Sequence, residues 1–466
     1  MNETVPALGA VGSLSANALL SVLERFSRVE ANLIGVTIGT PSLPAERVFV
    51  SAESELGFLW SSRPGIHEVG IGELHRFASG NEHNWPEVAR RVGNVCGKFQ
   101  GVGIGACAIE PRFYGGVSFA PGTETSAVWK GFLDYDFVLP RLLYRSNREA
   151  NRASLTLFAT RTELESTTKR EGLAQYLYQT VHSDSEQQSD GNLTALKVLS
   201  AQYNPNRDTW NQLVQEASQL LGTGELEKVV LARELILTCI GAPNVASVLR
   251  RLLGRKDGSV CFAFRSGAAT FLGATPERLV SRQGSHIYTE ALAGSAAADD
   301  PVAIHSLLNG EKDRREHAIV VNEIVSRLLA LGADTSVPES PELRQFGPVV
   351  HLRTSLEATR LDSPHVLVIG DRLHPTPAVA GIPTEAALEF IRRNEPFQRG
   401  RYAGPVGWFD CKGDGELVVA LRSGLIRGCE VHLFAGAGLV VGSEPSSEWC
   451  ETELKFRSFL DALGLC

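Results

Sequence analysis

A mixed chain of the α/β class, α+β in type, is predicted by three features of these 466 residues. Short β-branched runs end at Gly, Pro or polar clusters. Fewer, longer runs carry apolar residues at helical spacing, and the two kinds follow one another in no regular βαβ order. With 43% hydrophobic and 21% charged residues the composition is that of an ordinary globular protein, long enough for a large core or about three average domains.

The first strands are read in GVGIGACAIEP (101–111) and YGGVSFAPG (114–122). Gly101 to Ala106 lacks the GxGxxG spacing of a dinucleotide loop and an acidic residue closing a following strand, so no nucleotide cofactor is expected there. The polar stretch HSDSEQQSDGN (182–192) reads as an exposed connection and sets a soft boundary between a region 1–200 and a region 201–466. Beyond it Asp208 is placed to cap a helix carrying Trp210, Leu213, Val214, Ala217 and Leu221 on one face, ended by Gly222-Thr-Gly. In the strand LEKVVLARE that follows, Lys228 shares a pleat face with Leu226, Val230 and Ala232. Further strands are expected in SVCFAFRS, ATFLGA, HVLVIG, ELVVALRSGLI and EVHLFAGAGLVV, with helices near 303–331, 384–394 and 445–463.

Charge and cysteine usage narrow the function classes. The balance of 45 basic and 53 acidic residues, a net charge of −8, contains no Lys/Arg block, which argues against nucleic acid. No basic segment precedes the weakly apolar opening, and no run is apolar enough to span a bilayer, so neither secretion nor a membrane partner is expected. The 8 cysteines are scattered without CxxC, which suggests neither a zinc site nor a disulfide framework but reduced thiols in a cytoplasm.

Two acidic pairs at i,i+3 spacing, Asp313 with Glu316 and Glu448 with Glu451, each place two carboxylates on one helix face. Hard oxygens of this kind suit Mg²⁺, which takes one or two carboxylates and completes its shell with water or an anionic ligand. Solvated helix faces, with Glu451 and Lys455 as a plain i,i+4 pair, account for the same spacing. Lys228 is a second candidate: an amine acts as a base only when uncharged, and a lysine amid apolar strand residues is unusual, although one at a strand end also snorkels to water. Glu277 follows a strand and the turn-like Ala-Thr-Pro, so its carboxyl is either held rigidly at a cleft or sits in the first turn of a helix begun by Pro276. Arg422 interrupts an apolar strand and Gly436 to Gly438 bare their backbone N–H groups; a carboxylate-bearing ligand, or a β-bulge with a structural arginine, explains both. His351 and Tyr402 are polar groups in apolar settings, ligand-facing or hydrogen-bonded within the core.

Taken in order, KVVLAR, GATPERL, LAGS, KDRREH, HLRTS, LHPTPAVAGIP, YAGPVGW, ALRSGL, AGAGLV and EWCETELK resemble the chorismate-utilising enzymes, most closely their isochorismate synthase branch, from about residue 205 to 466. The resemblance implies one large domain of mixed, mostly antiparallel sheets flanked by helices, to which region 1–200 contributes strands and helices. It implies Lys228 as general base and Glu277 as general acid, and, because ammonia-adding members lack that lysine, water as nucleophile with no glutaminase subunit. Glu316 and Glu451 would ligate Mg²⁺, with Asp313 and Glu448 holding its waters. Substrate carboxylates would meet Arg422, Tyr402, Lys455 and the backbone of Gly436, Ala437 and Gly438, with Gly294, Ser295 and His351 lining the substrate. Salicylate synthases share this machinery but carry threonine where Ala378 stands, and a non-catalytic chorismate-binding protein would not need the acid–base pair. The phrase EPFQRGRYAGPVGW is similar to the menaquinone- or phylloquinone-type enzymes more than to the siderophore type.

Overall fold

A computed structural model describes residues 4–5, 15–27, 30–51, 56–79, 85–122, 126–182, 196–360, 362 and 364–465. The soft boundary expected at 182–192 falls almost entirely outside these residues. Two sheets, of 14 and 10 strands, dominate. Both are built from strands early and late in the chain. In the larger, Leu56–Arg63 lies antiparallel to Val260–Ser266 with Trp60 opposite Phe262. In the smaller, Arg112–Val117 lies antiparallel to Pro405–Asp410 with Tyr114 opposite Trp408. Helices flank the sheets, and no helix among the described residues is long and apolar enough to cross a membrane.

Many central strands are covered on both faces and so read as continuous apolar runs without alternation. Val229 and Leu231 on one face and Val230 and Ala232 on the other are all buried. One buried cluster joins Trp210, Leu231, Phe262, Phe271, Val406 and Phe434. A second joins Ile34, Val36, Leu157, Leu235, Ala263 and Leu433.

Two of the crossings that the chain makes between the sheets lie side by side, and these position the site. Strand Ala269–Thr275 belongs to the large sheet and Arg278–Gln283 to the small one, with Pro276 and Glu277 at the corner. Strand Gly415–Val419 belongs to the small sheet and Ser423–Arg427 to the large one, with Ala420 to Arg422 at the corner. The corners are tied together: the Val419 N–H donates to the Glu277 carbonyl at 3.0 Å, and the Thr275 hydroxyl donates to the Val419 carbonyl at 2.6 Å. No helix starts at Pro276, which removes the alternative of a first-turn Glu277.

Other expectations are corrected. HVLVIG is a helix, Val366–Leu373, begun by His365, whose Nδ1 accepts the Leu367 N–H. The run from 303 to 331 is two helices, Pro301–Asn309 and Glu311–Ala330, parted at Gly310. The helix Arg207–Thr223 buries the five apolar residues named for it, but its cap is Asn206, and Asp208 lies in the first turn. Cys96 and Cys411 form a disulfide between residues 315 apart in sequence, against the expectation of thiols only.

Candidate active site

Where the corners of the two sheets meet, a cavity of about 720 Å³, including its open mouth, collects most of the singled-out residues. Lys228 opens the strand Lys228–Cys239, which pairs with Glu430–Leu439 so that Val230 faces Gly438 and Ala232 faces Gly436. Period-2 alternation therefore puts Lys228, Val230, Gly436 and Gly438 on the cavity wall. It turns the fully buried Ala437 toward the core on the opposite face, so Ala437 does not line the cavity as expected.

Lys228 is 1% exposed, and its Nζ lies 2.8 Å from Oε1 of Glu316, which the helix Glu311–Ala330 brings to the same cavity. On the C-terminal helix Pro445–Leu463, Lys455 pairs with Glu451 one turn away and donates to the Gly436 carbonyl at 2.7 Å. Burial works to raise the Glu451 carboxyl, but the Lys455 ammonium outweighs it, aided by Ser295 and Arg422, and holds the group below the ordinary range. Asp313 and Glu448 share these helices but do not line the cavity; Asp313 lies under the turn at Gly294.

Glu277 is 5% exposed. Burial, reinforced by the nearby carboxylate of Glu290, pushes its carboxyl up to about 8 against the opposing pull of Lys228, Lys455 and Thr376. A carboxyl in this condition is protonated at neutral pH and able to donate.

The small sheet supplies the third wall. Strands His286–Ala297 and Val349–Thr359 pair with a break in register between Ala293 and Ser295, where Gly294 takes a positive φ of 75°. The bulge exposes the Gly294 carbonyl, to which His351 Nδ1 lies at 2.9 Å. Because a carbonyl only accepts, Nδ1 carries the proton, and Nε2 accepts from Arg422 Nη2 at 2.9 Å. Burial, then the Arg422 charge, keeps this imidazole neutral. Arg422 stands at its corner with φ of 49°, and its Nη1 is buried without a hydrogen-bond partner among the described residues. An unmatched guanidinium N–H in a cavity fits an incoming carboxylate and not the structural, carboxylate-paired arginine. Tyr402 adds a hydroxyl whose burial pushes it up to about 12, so it remains a donor, and Ala378 contributes only a methyl group.

The sequence profile of the chorismate binding enzymes matches residues 20–464, nearly the whole chain. The protein belongs to this family. The isochorismate synthase MenF of Bacillus subtilis is 35% identical over 362 residues, 77% of this chain and 75% of that protein. The salicylate biosynthesis isochorismate synthase of Pseudomonas aeruginosa is 35% identical over 76% of this chain and 75% of its own. Among solved structures, the menaquinone-specific isochorismate synthase MenF of Escherichia coli superposes with a TM-score of 0.76 at 28% identity, covering 97% of this chain and 100% of that one. The mixed architecture of antiparallel sheets and flanking helices is thus that of the chorismate binding enzymes.

For a divalent cation the donor set in this family member is chemically apt. Glu316 and Glu451 present hard oxygens to one cavity, and each already balances a positive charge, the ammonium of Lys228 or Lys455. Among the described residues no group of three His, Cys, Asp or Glu side chains gathers as a metal cage, so the ligand itself would have to complete the shell, as Mg²⁺ allows. Two residues escaped the sequence reading. Arg399 lines the cavity and clamps its wall by donating to the carbonyls of Val379 and Val230, both at 2.8 Å; it gave no signal because Glu395, Gln398 and Arg401 surround it in a polar stretch. Glu290 lies behind Glu277 and gave no local signal, because its partners, Arg278 and Arg353, are 12 and 63 residues away.

Proposed function

We propose that this chorismate binding enzyme is an isochorismate synthase, converting chorismate to isochorismate with Mg²⁺. One observation carries the reading: Lys228 and a Glu277 carboxyl pushed up to about 8 line a single cavity together with the unmatched Arg422 guanidinium. Arg422, Tyr402 and Lys455 would bind the substrate carboxylates, and His351 holds Arg422 in place. Water attacks C2 of the ring, Lys228 takes its proton, the ring double bonds shift, and the C4 hydroxyl leaves as water with the proton from Glu277. Lys228 serves only as the free amine, which requires Glu316 to release it. Glu316 and Glu451 would hold Mg²⁺, with Asp313 and Glu448 behind them; when bound, the ion supplies a fixed positive charge for the ring carboxylate.

Lysine at 228 favours water over ammonia as nucleophile, so no glutaminase partner is included. Ala378, in place of a hydroxyl-bearing residue, favours stopping at isochorismate over further elimination of pyruvate. The EPFQRGRYAGPVGW segment favours a quinone pathway over a siderophore pathway for the product.

The test is incubation of the purified protein with chorismate and Mg²⁺ followed by chromatography. Isochorismate as product is expected; salicylate with pyruvate would replace this reading by a salicylate synthase, and unchanged chorismate by a binding protein. A cytoplasmic setting belongs to the same proposal on composition, and the Cys96–Cys411 bridge weighs against it. The mass of freshly isolated protein alkylated with and without reductant checks that point.

A further inference from the structure

Glu290 stands behind the cavity, 6% exposed, in the strand His286–Ala297. Its Oε1 accepts the backbone N–H of Arg278, the residue next to Glu277, at 2.9 Å, and its Oε2 accepts from Arg353 Nε at 2.7 Å. Arg353 is itself fixed by Glu342 and the Tyr288 hydroxyl, and the Arg278 guanidinium is turned to Glu416 at 2.7 Å. Both oxygens of Glu290 thus accept from donors that are themselves held in place. Among the described residues no arginine pairs with Glu277. Facing it are Lys228 from the central strand, Lys455 from the C-terminal helix, Thr376 from the segment after Leu373, Tyr402, and Glu290.

A carboxylate fixed on the neighbouring peptide disfavours a second negative charge on a buried carboxyl beside it. We propose that Glu290 is a positioning residue for the proton donor: its anchored carboxylate, set on the Glu277–Arg278 peptide, disfavours a second negative charge at Glu277 and so keeps the proton there. This deepens the functional reading above and rests on it in taking Glu277 as the acid. Burial is the larger influence on Glu277, and Glu290 adds to it.

The experiment follows the proton without substrate. An infrared difference spectrum, wild type minus Glu277→Gln, isolates the protonated carboxyl band of Glu277, and its loss on raising the pH gives a midpoint. Glu290→Gln is expected to lower that midpoint by about one pH unit. Arg353→Gln, which removes one of the donors that fix the Glu290 carboxylate, is expected to lower it in the same sense and by less. Circular dichroism verifies folding, and Arg353→Gln carries the test by itself if Glu290→Gln does not fold. An unmoved midpoint, or a shift in the opposite sense in either folded variant, overturns the proposal. Failure of the wild type to make isochorismate would overturn the functional reading while leaving this midpoint, and the inference about the proton, standing.

Discussion

Lys228 Nζ and Glu316 Oε1 lie 2.8 Å apart directly over the backbone of Gly438. A Cβ at 438 would fall 2.7 Å from Glu316 Oε1 and 3.1 Å from Lys228 Cε, which neither atom tolerates without moving. Gly438→Ala should therefore part the pair and cost roughly 10²-fold in kcat, since an ångström of misplacement is enough for that. Steady-state kinetics beside a thermal melt checks it; near-normal kcat would show that the pair's placement is not needed for turnover.

Removing either end of the proton pathway should be more severe. Lys228→Ala and Glu277→Gln are each expected to lower kcat by about 10²–10⁴-fold while far-ultraviolet circular dichroism stays native. If one of them kept wild-type turnover, the proton would have to come from, or go to, another group.

Glu277 also couples pH to stability. Its carboxyl moves from an ordinary 4.5 to about 8 on folding, so between those values the folded chain holds a proton that the unfolded chain has released. Stability then falls as the pH rises through that window; below it both states are protonated, and above it the whole cost is present. Glu277→Gln removes the cost, which at full extent is roughly 5 kcal/mol. The variant's melting temperature should exceed the wild type's by a margin that grows from pH 5 to pH 8. A margin independent of pH would mean that Glu277 ionises normally in the folded state.

Carboxylates that face one cavity and each balance an ammonium should also set metal affinity. Calorimetric titration with MgCl₂ is expected to show binding to the wild type weakened at least about tenfold in Glu316→Gln and in Glu451→Gln. Equal affinities in all three proteins would place the ion elsewhere.

The sequence made some of this site legible and hid the rest for identifiable reasons. The face shared by Lys228 and Val230 follows from strand period alone, and the acidic pairs from helix period. Neither period reveals that Pro276-Glu277 and Ala420 to Arg422 are corners where the chain changes sheet, because that depends on pairing with strands far away in sequence. After His365, HVLVIG is apolar throughout and satisfies both periods, so length and context had to decide between strand and helix. The exclusion of Ala437 from the cavity needed the register that sets it opposite Leu231. The bridge between Cys96 and Cys411 spans 315 residues and leaves no spacing to read.

Interleaving of early and late strands has a consequence for biosynthesis. Trp60 finds its neighbour Phe262 only after some two hundred further residues have been made, and Tyr114 waits longer still for Trp408. During translation the amino-terminal third thus leaves the ribosome with open hydrogen-bonding edges that nothing yet covers, which makes a chaperone an advantage in its expression and a truncated gene product prone to stick to its own kind.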